Sequence, residues 1–427
     1  MRYIALACLL PIAIATHAAQ NLDFSDISKP DFFPILTWDP QHGWTKPFTE
    51  HPKNGLEAIA ECNFNMAGFV FPKDLKKCQK LGLGAIVLPA SQSDFTNFEY
   101  FRIWSKLSDD EIDARIKKVV REAGSNPAVK GFFIVDEPHV REFPGLAKAV
   151  AAVKKYAPGK LAYINLFPDY ATLGAGDISQ LGTANYTEYL ERFVNEVHPQ
   201  AISYDNYMVQ SSGDLKDQSA AASYYRNLLE VRRVAQKYHL PFLNIVSSNQ
   251  IRPHTPIPSP ENLLFQAYTT LAAGYRGVTW YTFYCRGYHY APVDNDGNRT
   301  LTFEYLKEVN RQVATLAPIL CKLESTGVFF TKAPADGLPL LPGKLIEAVT
   351  SSESTSVMVG EFSGANGQRY AMLVNLSLER TTQLKIKTVG NGSLKIVSAV
   401  DRNLSNYDEK IGLWLNAGQG ALLEIKN

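Results

Sequence analysis

Two adjacent carboxylic acids, Asp136 and Glu137, directly follow a run of apolar residues in the segment GFFIVDEPHV, residues 131–140. The run is typical of a strand buried on both faces, and Pro138 ends it because proline has no N–H to donate to a neighbouring strand. Carboxyl groups held at the end of a strand can give a proton to a reacting molecule and take it back. Capping of the next helix, or an ion pair with an arginine, is the structural alternative for such a pair.

A further acid and several aromatic and amide side chains stand where other apolar runs end. Asp205 lies in the segment YDNY, residues 204–207. The side chains that we expect to contact a ligand are Trp38, Asp39, Asn165, Tyr204, Tyr207, Trp280 and Tyr281. Aromatic rings stack on the apolar faces of sugars, polar groups bind their hydroxyls, and paired carboxyls cleave glycosidic bonds. This set favours a carbohydrate site with Glu137, Asp136 and Asp205 as candidate catalytic residues.

Eight short runs rich in β-branched and aromatic residues predict the strands that carry these side chains. The runs cover residues 32–40, 64–72, 83–90, 129–138, 161–168, 201–209, 241–249 and 277–285. Segments with a helical period separate them, which is typical of βαβ units and a parallel sheet. Eight units over about 290 residues fit a (β/α)8 TIM barrel. The sequence has no GxGxxG motif opening the first helix after a strand, so the usual fingerprint of a dinucleotide-binding fold is missing. Strands of a barrel end at one mouth, where the candidate residues would meet.

The pattern changes after this region. Short alternating runs divided by Gly, Asn and Ser turns fill the last stretch of about 100 residues and predict an all-β sandwich. We therefore expect a signal peptide at 1–19, a catalytic barrel at 20–323 and a β-sandwich domain at 324–427. The sandwich has no concentrated acid pair or His cluster, so we expect it to pack against the barrel; carbohydrate binding is the alternative role.

The N-terminus, MRYIALACLLPIAIATHAAQ, has one Arg, an apolar run and then small residues. This order is typical of a secretory signal peptide, with a retained membrane anchor as the alternative. We expect a secreted or periplasmic protein with no membrane contact after the signal is removed. The 43 basic and 42 acidic residues give a net charge of +1, which provides no field to attract nucleic acid.

Four cysteines remain after the predicted signal peptide: Cys62, Cys78, Cys285 and Cys321. They form no CxxC motif, and no His lies at metal-ligand spacing from any of them, so we expect neither a metal nor a cofactor. Two alternatives are compatible with a chain of this size: the cysteines form one or two disulfides, or they remain buried free thiols.

Three segments resemble the superfamily of (β/α)8-barrel glycoside hydrolases, in particular the clan A type with a C-terminal β-sandwich. They are GFFIVDEP at strand four, ENLLFQAYTTLAAGYRGVTWYTFY through strand eight, and EYLKEVNRQVATLAPIL before the sandwich. The resemblance implies that Glu137 is the general acid/base. Clan A enzymes also place a nucleophilic Glu at the end of strand seven, where this chain has NIVSSNQIRPH and no carboxylate.

Several mechanisms therefore stay open. The DE pair also resembles hexosaminidases that use substrate assistance, which implies that Asp136 orients a 2-acetamido group with Tyr207 or Tyr204 as helper. Alternatively, Asp205 is the partner of Glu137. It would act as a nucleophile if the two carboxyl groups are about 5 Å apart, and it would activate water if they are about 6.5 to 9.5 Å apart. A mirrored version makes Asp136 the nucleophile and Asp205 the acid, and resembles α-galactosidase-type barrels. The competing class is a carbohydrate-binding barrel without catalysis. A metal-dependent hydrolase lacks the expected His ligands.

Overall fold

A computed structural model of the chain describes residues 31, 33–39, 55–88, 103–172, 180–208, 218–253, 255–285 and 287–426. Eight parallel strands form a closed barrel in chain order, in which β1 pairs with both β2 and β8. The strands are β1 (Ile35–Thr37), β2 (Met66–Val70), β3 (Gly84–Val87), β4 (Val129–Asp136), β5 (Leu161–Leu166), β6 (Ile202–Asp205), β7 (Phe242–Ser247) and β8 (Val278–Tyr281). Each falls within one of the eight predicted runs, so the barrel prediction is confirmed.

Helices surround the barrel on the outside. The α-helices of the described residues are α1 (Leu56–Glu61), α2 (Leu75–Lys80), α3 (Asp109–Ala123), α4 (Phe143–Tyr156), α5 (Tyr186–Arg192), α6 (Gln218–Lys237), α7 (Pro260–Ala272) and α8 (Leu301–Leu320). The start of α3 shows why these segments are helical: Ser108 accepts from the N–H of Glu111, and the Glu111 carboxylate accepts from Ser108, a complete capping box. Helix α5 continues into a π-helical turn at Phe193–Val197.

Alternate strand residues fill the inside of the barrel with large side chains. This inner cluster contains Leu36, Trp38, Met66, Phe69, Phe71, Ile86, Leu88, Phe133, Leu161, Tyr163, Ala201, Leu243 and Ile245. The residues between them point outward and join the larger core between strands and helices. Because the barrel is packed solid, a ligand can reach only its rim.

Antiparallel strands form the C-terminal part, as predicted. The six-stranded sheet has the order β15-β14-β17-β12-β11-β9 and the three-stranded sheet the order β10-β13-β16. These strands are β9 (Leu323–Phe330), β10 (Ile346–Ser351), β11 (Val357–Gly364), β12 (Arg369–Asn375), β13 (Thr382–Thr388), β14 (Ser393–Val397), β15 (Leu404–Asn406), β16 (Leu413–Leu415) and β17 (Gly420–Lys426). Apolar residues of both sheets share one core.

The six-stranded sheet packs directly on the barrel's helices. Helix α7 contacts β11, β12 and β17. The guanidinium of Arg232 on α6 donates to Ser325 Oγ at 2.9 and 3.1 Å, and Gln236 donates to the Ser325 carbonyl at 2.7 Å. Gly360 on β11 lies so close to α7 that a Cβ there would be 1.9 Å from the Ala272 carbonyl oxygen.

We expect Gly360→Ala to lower the free energy of unfolding by about 1–3 kcal/mol, because the new methyl group forces two packed backbones apart. Urea denaturation of wild type and variant measures the difference. Val400→Ala is the control, since Val400 is an exposed side chain of the same β-domain. An unchanged midpoint for Gly360→Ala would mean that this contact is not tight in solution.

The four cysteines are buried free thiols in the described part of the chain, which selects the second of the two predicted alternatives. Burial raises the pKa of Cys78 to about 12 and that of Cys321 to about 11, which keeps both thiols protonated. Among the described helices, none is long and apolar enough to cross a membrane.

Candidate functional site at the mouth of the barrel

The carboxyl end of β4 carries the first two candidate residues. Asp136 is the last residue of the strand and stands opposite Asn165 of β5 in the register. Glu137 follows, and its backbone N–H donates to the Asn165 carbonyl at 2.9 Å. Both acidic residues are half-buried. The prediction that this pair lies at the strand end, at the mouth of the barrel, is therefore met by the geometry.

Glu137 has a left-handed backbone conformation, with φ of +47°. A side chain other than glycine pays a steric cost there, and such outliers cluster at functional sites. Tyr170 and Tyr189 lie near Glu137. Burial raises the pKa of both tyrosines, and the Glu137 charge adds to the increase.

This conformation gives a prediction that does not depend on catalysis. Glu137→Gly should be more stable than Glu137→Ala by about 1 kcal/mol, because glycine has no Cβ to strain at positive φ. Parallel urea denaturation curves of the two variants measure it. Equal stability would mean that residue 137 leaves the left-handed region once the carboxylate is gone.

Asn165 connects the two aspartates. Its Nδ2 donates to Asp136 Oδ1 at 3.0 Å and to Asp205 Oδ1 at 2.9 Å. The two carboxylate oxygens are therefore within about 6 Å of each other, the sum of these distances. Three neighbouring strands thus bring a carboxylate, an amide and a second carboxylate into one hydrogen-bonded unit.

A chain of hydroxyl groups inside the barrel lies below this unit. Ser203 Oγ is 3.1 Å from Asn165 Oδ1 and 3.3 Å from the Tyr163 hydroxyl, which is itself 3.4 Å from Thr279 Oγ1. Because Ser203 supplies a donor to the amide oxygen, the NH2 group of Asn165 faces the carboxylates. The barrel interior therefore orients the amide.

Asp205 ends β6 and is only 4% exposed. Burial, followed by the charge of Asp136, raises its pKa to about 7, although hydrogen bonds from Asn165 and Tyr207 act in the opposite direction. A carboxyl of this kind changes its charge near neutral pH.

Aromatic residues form one side of the mouth. The rings of Tyr207 and Tyr281 stack with centroids 5.2 Å apart, and the hydroxyl of Tyr281 is 2.7 Å from that of Tyr288. Asn206 anchors the preceding turn, since its Nδ2 donates to Asn227 Oδ1 at 3.0 Å and its Oδ1 accepts from the Met208 N–H at 2.9 Å. Of the predicted aromatic contacts, Tyr207 and Tyr281 are the half-buried pair beside Asp205.

The predicted contacts Tyr204 and Trp280 are corrected by their positions. Both are fully buried and point outward from their strands. Tyr204 packs on Tyr275, and Trp280 Nε1 donates to Asn310 of α8 at 2.8 Å. These side chains hold helices to the barrel and do not reach its mouth.

Trp38 and Asp39, also predicted to contact a ligand, are buried below the rim. Trp38 is 1% exposed and makes edge-to-face contacts with Phe69, Phe133 and Tyr163. Asp39 accepts the backbone N–H groups of the segment that follows β8, at 3.2 and 3.3 Å. Both positions indicate structural roles. Trp38 fills part of the barrel interior, and Asp39 links the ends of β1 and β8.

The end of β7 differs from clan A enzymes, as the sequence predicts. Ser247 donates to the Asn249 carbonyl, Asn249 donates to Thr282 and Gln250 donates to the Thr255 carbonyl. In the described segment 242–253, no side chain is a carboxylate. The amide and hydroxyl groups there hold the loop.

Three further tyrosines near the site are not predicted from the sequence: Tyr170, Tyr189 and Tyr288. Tyr170 stands shortly after β5, and its pKa is raised by burial and then by the charges of Asp205 and Glu137. Its position after the LFPD segment at the end of a predicted strand was the available signal. Tyr189 on α5 and Tyr288 give no comparable signal, because neither directly follows a strand.

Comparisons with known proteins find a similar fold but no similar sequence. No protein-family model and no curated protein matches the chain. A catalytic mutant of Gan42B, a GH42 β-galactosidase from G. stearothermophilus, aligns over 94% of this chain and 99% of its own, with a TM-score of 0.60 and 8% identity. A glycoside hydrolase of family 5 from Bacteroides vulgatus aligns over 92% and 89%, with a TM-score of 0.55 and 12% identity.

The β-galactosidase from Marinomonas ef1 matches over 70% of this chain at 11% identity with a TM-score of 0.49, and this chain covers 63% of that protein. At these identities the likeness concerns the fold. The chain has a closed parallel barrel followed by C-terminal antiparallel sheets, and its fold is similar to those of the family 42 and family 5 glycoside hydrolases, so the resemblance predicted from sequence is confirmed at the level of the fold.

Proposed function

We propose that the protein hydrolyses O-glycosidic bonds, with Glu137 as general acid/base and Asp136 as its partner carboxylate. The observation that carries the proposal is the adjacent, half-buried pair at the end of β4, with Glu137 in a left-handed conformation and the half-buried rings of Tyr207 and Tyr281 at the same mouth. Glu137 gives its proton to the leaving oxygen as the C–O bond breaks. Water then adds to the anomeric carbon and returns a proton to Glu137.

Asp136 is favoured over Asp205 as the partner because of their exposures. Asp136 is half-buried, whereas Asp205 is 4% exposed behind it. In the substrate-assisted mechanism, Asp136 orients a 2-acetamido group that attacks the anomeric carbon. In a two-carboxylate mechanism, Asp136 itself attacks or activates water. The lack of a carboxylate in the described β7 segment supports substrate assistance, since that mechanism needs none there.

A panel of aryl glycosides and natural oligosaccharides, with and without a 2-acetamido group, tests the proposal when incubated with the mature protein. Turnover that Glu137→Gln abolishes identifies a glycosidase. Turnover of 2-acetamido sugars alone selects substrate assistance, whereas turnover of plain hexosides requires Asp136 to act directly. The anomer released, followed by proton NMR in the first minutes, gives retention or inversion.

The second candidate is a carbohydrate-binding barrel without catalysis, which the β7 segment without a carboxylate also favours. Saturable sugar binding with no turnover on the panel, equal in wild type and Glu137→Gln, would identify it and overturn the first proposal.

We also propose that the protein acts outside the cytoplasm, on the strength of the N-terminal sequence pattern. Residues 1–19 lie outside the described residues. N-terminal sequencing of the exported protein tests the cleavage.

A further inference from the structure

Resting on the proposed function, we propose that Asp205 is a positioning residue that acts on Asp136 through Asn165 and does not touch the substrate. The sequence favours a catalytic role for Asp205, because it marks an acid at a strand end. The hydrogen-bonded unit of Asp136, Asn165 and Asp205 assigns it a different one. Asp205 and Asn165 together fix the orientation and the charge of the carboxylate that faces the sugar.

Asp205 is more deeply buried than Asp136. Asp205 is 4% exposed and Asn165 is 1% exposed, whereas Asp136 is half-buried. A group that transfers a proton or attacks a substrate must come within hydrogen-bonding reach of it. In the order from mouth to interior, Asp136 comes first.

The use of the Asn165 amide is the second argument. An amide NH2 has two N–H groups, and here one goes to each aspartate, at 3.0 and 2.9 Å. Ser203 Oγ donates to the amide oxygen at 3.1 Å, so both ends of the amide are hydrogen-bonded in this orientation. Asp136 is therefore held by a donor whose own position depends on Asp205.

The surroundings of Asp205 are the third argument. The titratable groups that face it are Asp136 on β4, Tyr163 and Tyr170 on or after β5, Tyr189 on α5 and Tyr207 after β6. Tyrosines are neutral donors at physiological pH, so Asp136 is the charge that dominates. Two carboxylates on one amide repel each other, and the more buried one keeps a proton.

Below about pH 7, Asp205 therefore holds its proton, and the unit carries at most the one negative charge of Asp136. When Asp205 ionises, near pH 7, a second negative charge enters the unit and competes for the amide. We expect kcat to fall on the alkaline side of this transition, because Asp136 loses its fixed orientation.

Asp205→Asn separates the two roles. Asparagine is nearly isosteric and stays neutral at all pH, so it imitates the protonated state that the mechanism uses. We expect kcat of this variant at pH 6 to stay within about tenfold of wild type. The fall of kcat above pH 7, which is the alkaline limb of the pH profile, should disappear. A catalytic acid or nucleophile would instead lose about 10²–10⁴-fold at every pH. Such a loss, or an unchanged alkaline limb, would overturn the proposal.

Tyr207→Phe is the second variant. It keeps Asp205 but removes a hydrogen bond that lowers its pKa, so the alkaline limb should move to higher pH. Glu304→Gln, an exposed change on α8, is the control and should leave the limb in place. If the alkaline limb of Tyr207→Phe stays in place or moves to lower pH, the role assigned to Asp205 is contradicted. This test holds even where Asp205→Asn fails to fold.

Thermal unfolding as a function of pH gives a readout independent of activity. The pKa of Asp205 is about 7 in the folded protein, whereas the ordinary pKa of an aspartate, 3.8, applies in the unfolded chain. Stability from this group is therefore fully present at low pH and is lost as the pH rises through 7. Wild type should lose more Tm between pH 5 and 8 than Asp205→Asn. If this difference in Tm is found but no sugar is turned over, the coupling of Asp205 to Asp136 is upheld and the glycosidase function is rejected. If wild type and Asp205→Asn lose the same Tm, the coupling itself is rejected.

Discussion

Glu137→Gln is expected to lower kcat by about 10²–10⁴-fold, the usual contribution of a general acid/base, with little change in sugar binding. Glutamine keeps the size and the left-handed backbone of residue 137 but has no proton to give to the leaving oxygen. The measurement is steady-state kinetics on the best substrate of the panel. Urea denaturation alongside shows whether the fold is kept.

Leaving groups make the test sharper. An aryl glycoside with an acidic phenol needs little protonation as it departs, so Glu137→Gln should lose less activity on it than on an oligosaccharide. Glu304→Gln, with its exposed carboxylate on α8, is the matched control and should behave as wild type. Equal losses on both substrates would place Glu137 outside the proton-transfer step, and wild-type activity in Glu137→Gln would remove it from the mechanism.

Trp38→Ala is expected to cost about 3–5 kcal/mol of folding free energy, as large-to-small changes in cores do. The indole is 1% exposed, and its ring centroid lies 4.7 Å from that of Phe69 and 5.2 Å from that of Tyr163. Removing it leaves a cavity in the packed barrel interior. Urea denaturation of wild type and variant gives the difference.

Tyr281→Ala is the comparison for Trp38→Ala, since Tyr281 is an aromatic residue of the mouth that is only half-buried. Its substitution should cost less stability and should raise KM. A Trp38→Ala protein with wild-type stability and a raised KM would show that the sequence-based assignment of Trp38 as a ligand contact was right.

The strands were predictable because parallel barrel strands are buried on both faces and appear as unbroken apolar runs. The same property explains the errors in the site. Tyr204 and Trp280 occupy strand ends, as expected, but the sequence has no alternation of polar and apolar residues to tell the inward face from the outward one. Tyr204 and Asp205 are neighbours in the strand, yet the side chain of Tyr204 packs against the helices, whereas that of Asp205 contacts the Asn165 amide.

Helix α1 (Leu56–Glu61) was also not predicted. It has six residues, too few to show a helical period, and no side chain caps its first turn. The longer helix α3 carries both an apolar stripe and a capping box.

The chemistry of the site was only partly present in the sequence. The DE pair and the YDNY segment stand out because acids after apolar runs are unusual. The amide that joins them comes from β5, 29 residues after Asp136 and 40 before Asp205. Its two-sided hydrogen bonding depends on strand register and on Ser203. Nothing local in the segment AYINLF distinguishes Asn165 from an ordinary strand-end amide.

Helix α7 has a consequence for how such a chain can evolve. Its residues from Asn262 to Ala272 include ten that are buried, because β7 lies on one side of the helix and the C-terminal strands lie on the other. A barrel helix usually keeps a solvent face that tolerates drift. Here that freedom is gone, and a recombination event that exchanged the β-domain for an unrelated module would leave an apolar helix uncovered. We therefore expect the two parts to be inherited as a pair, with changes in α7 matched by changes in the sheet that covers it.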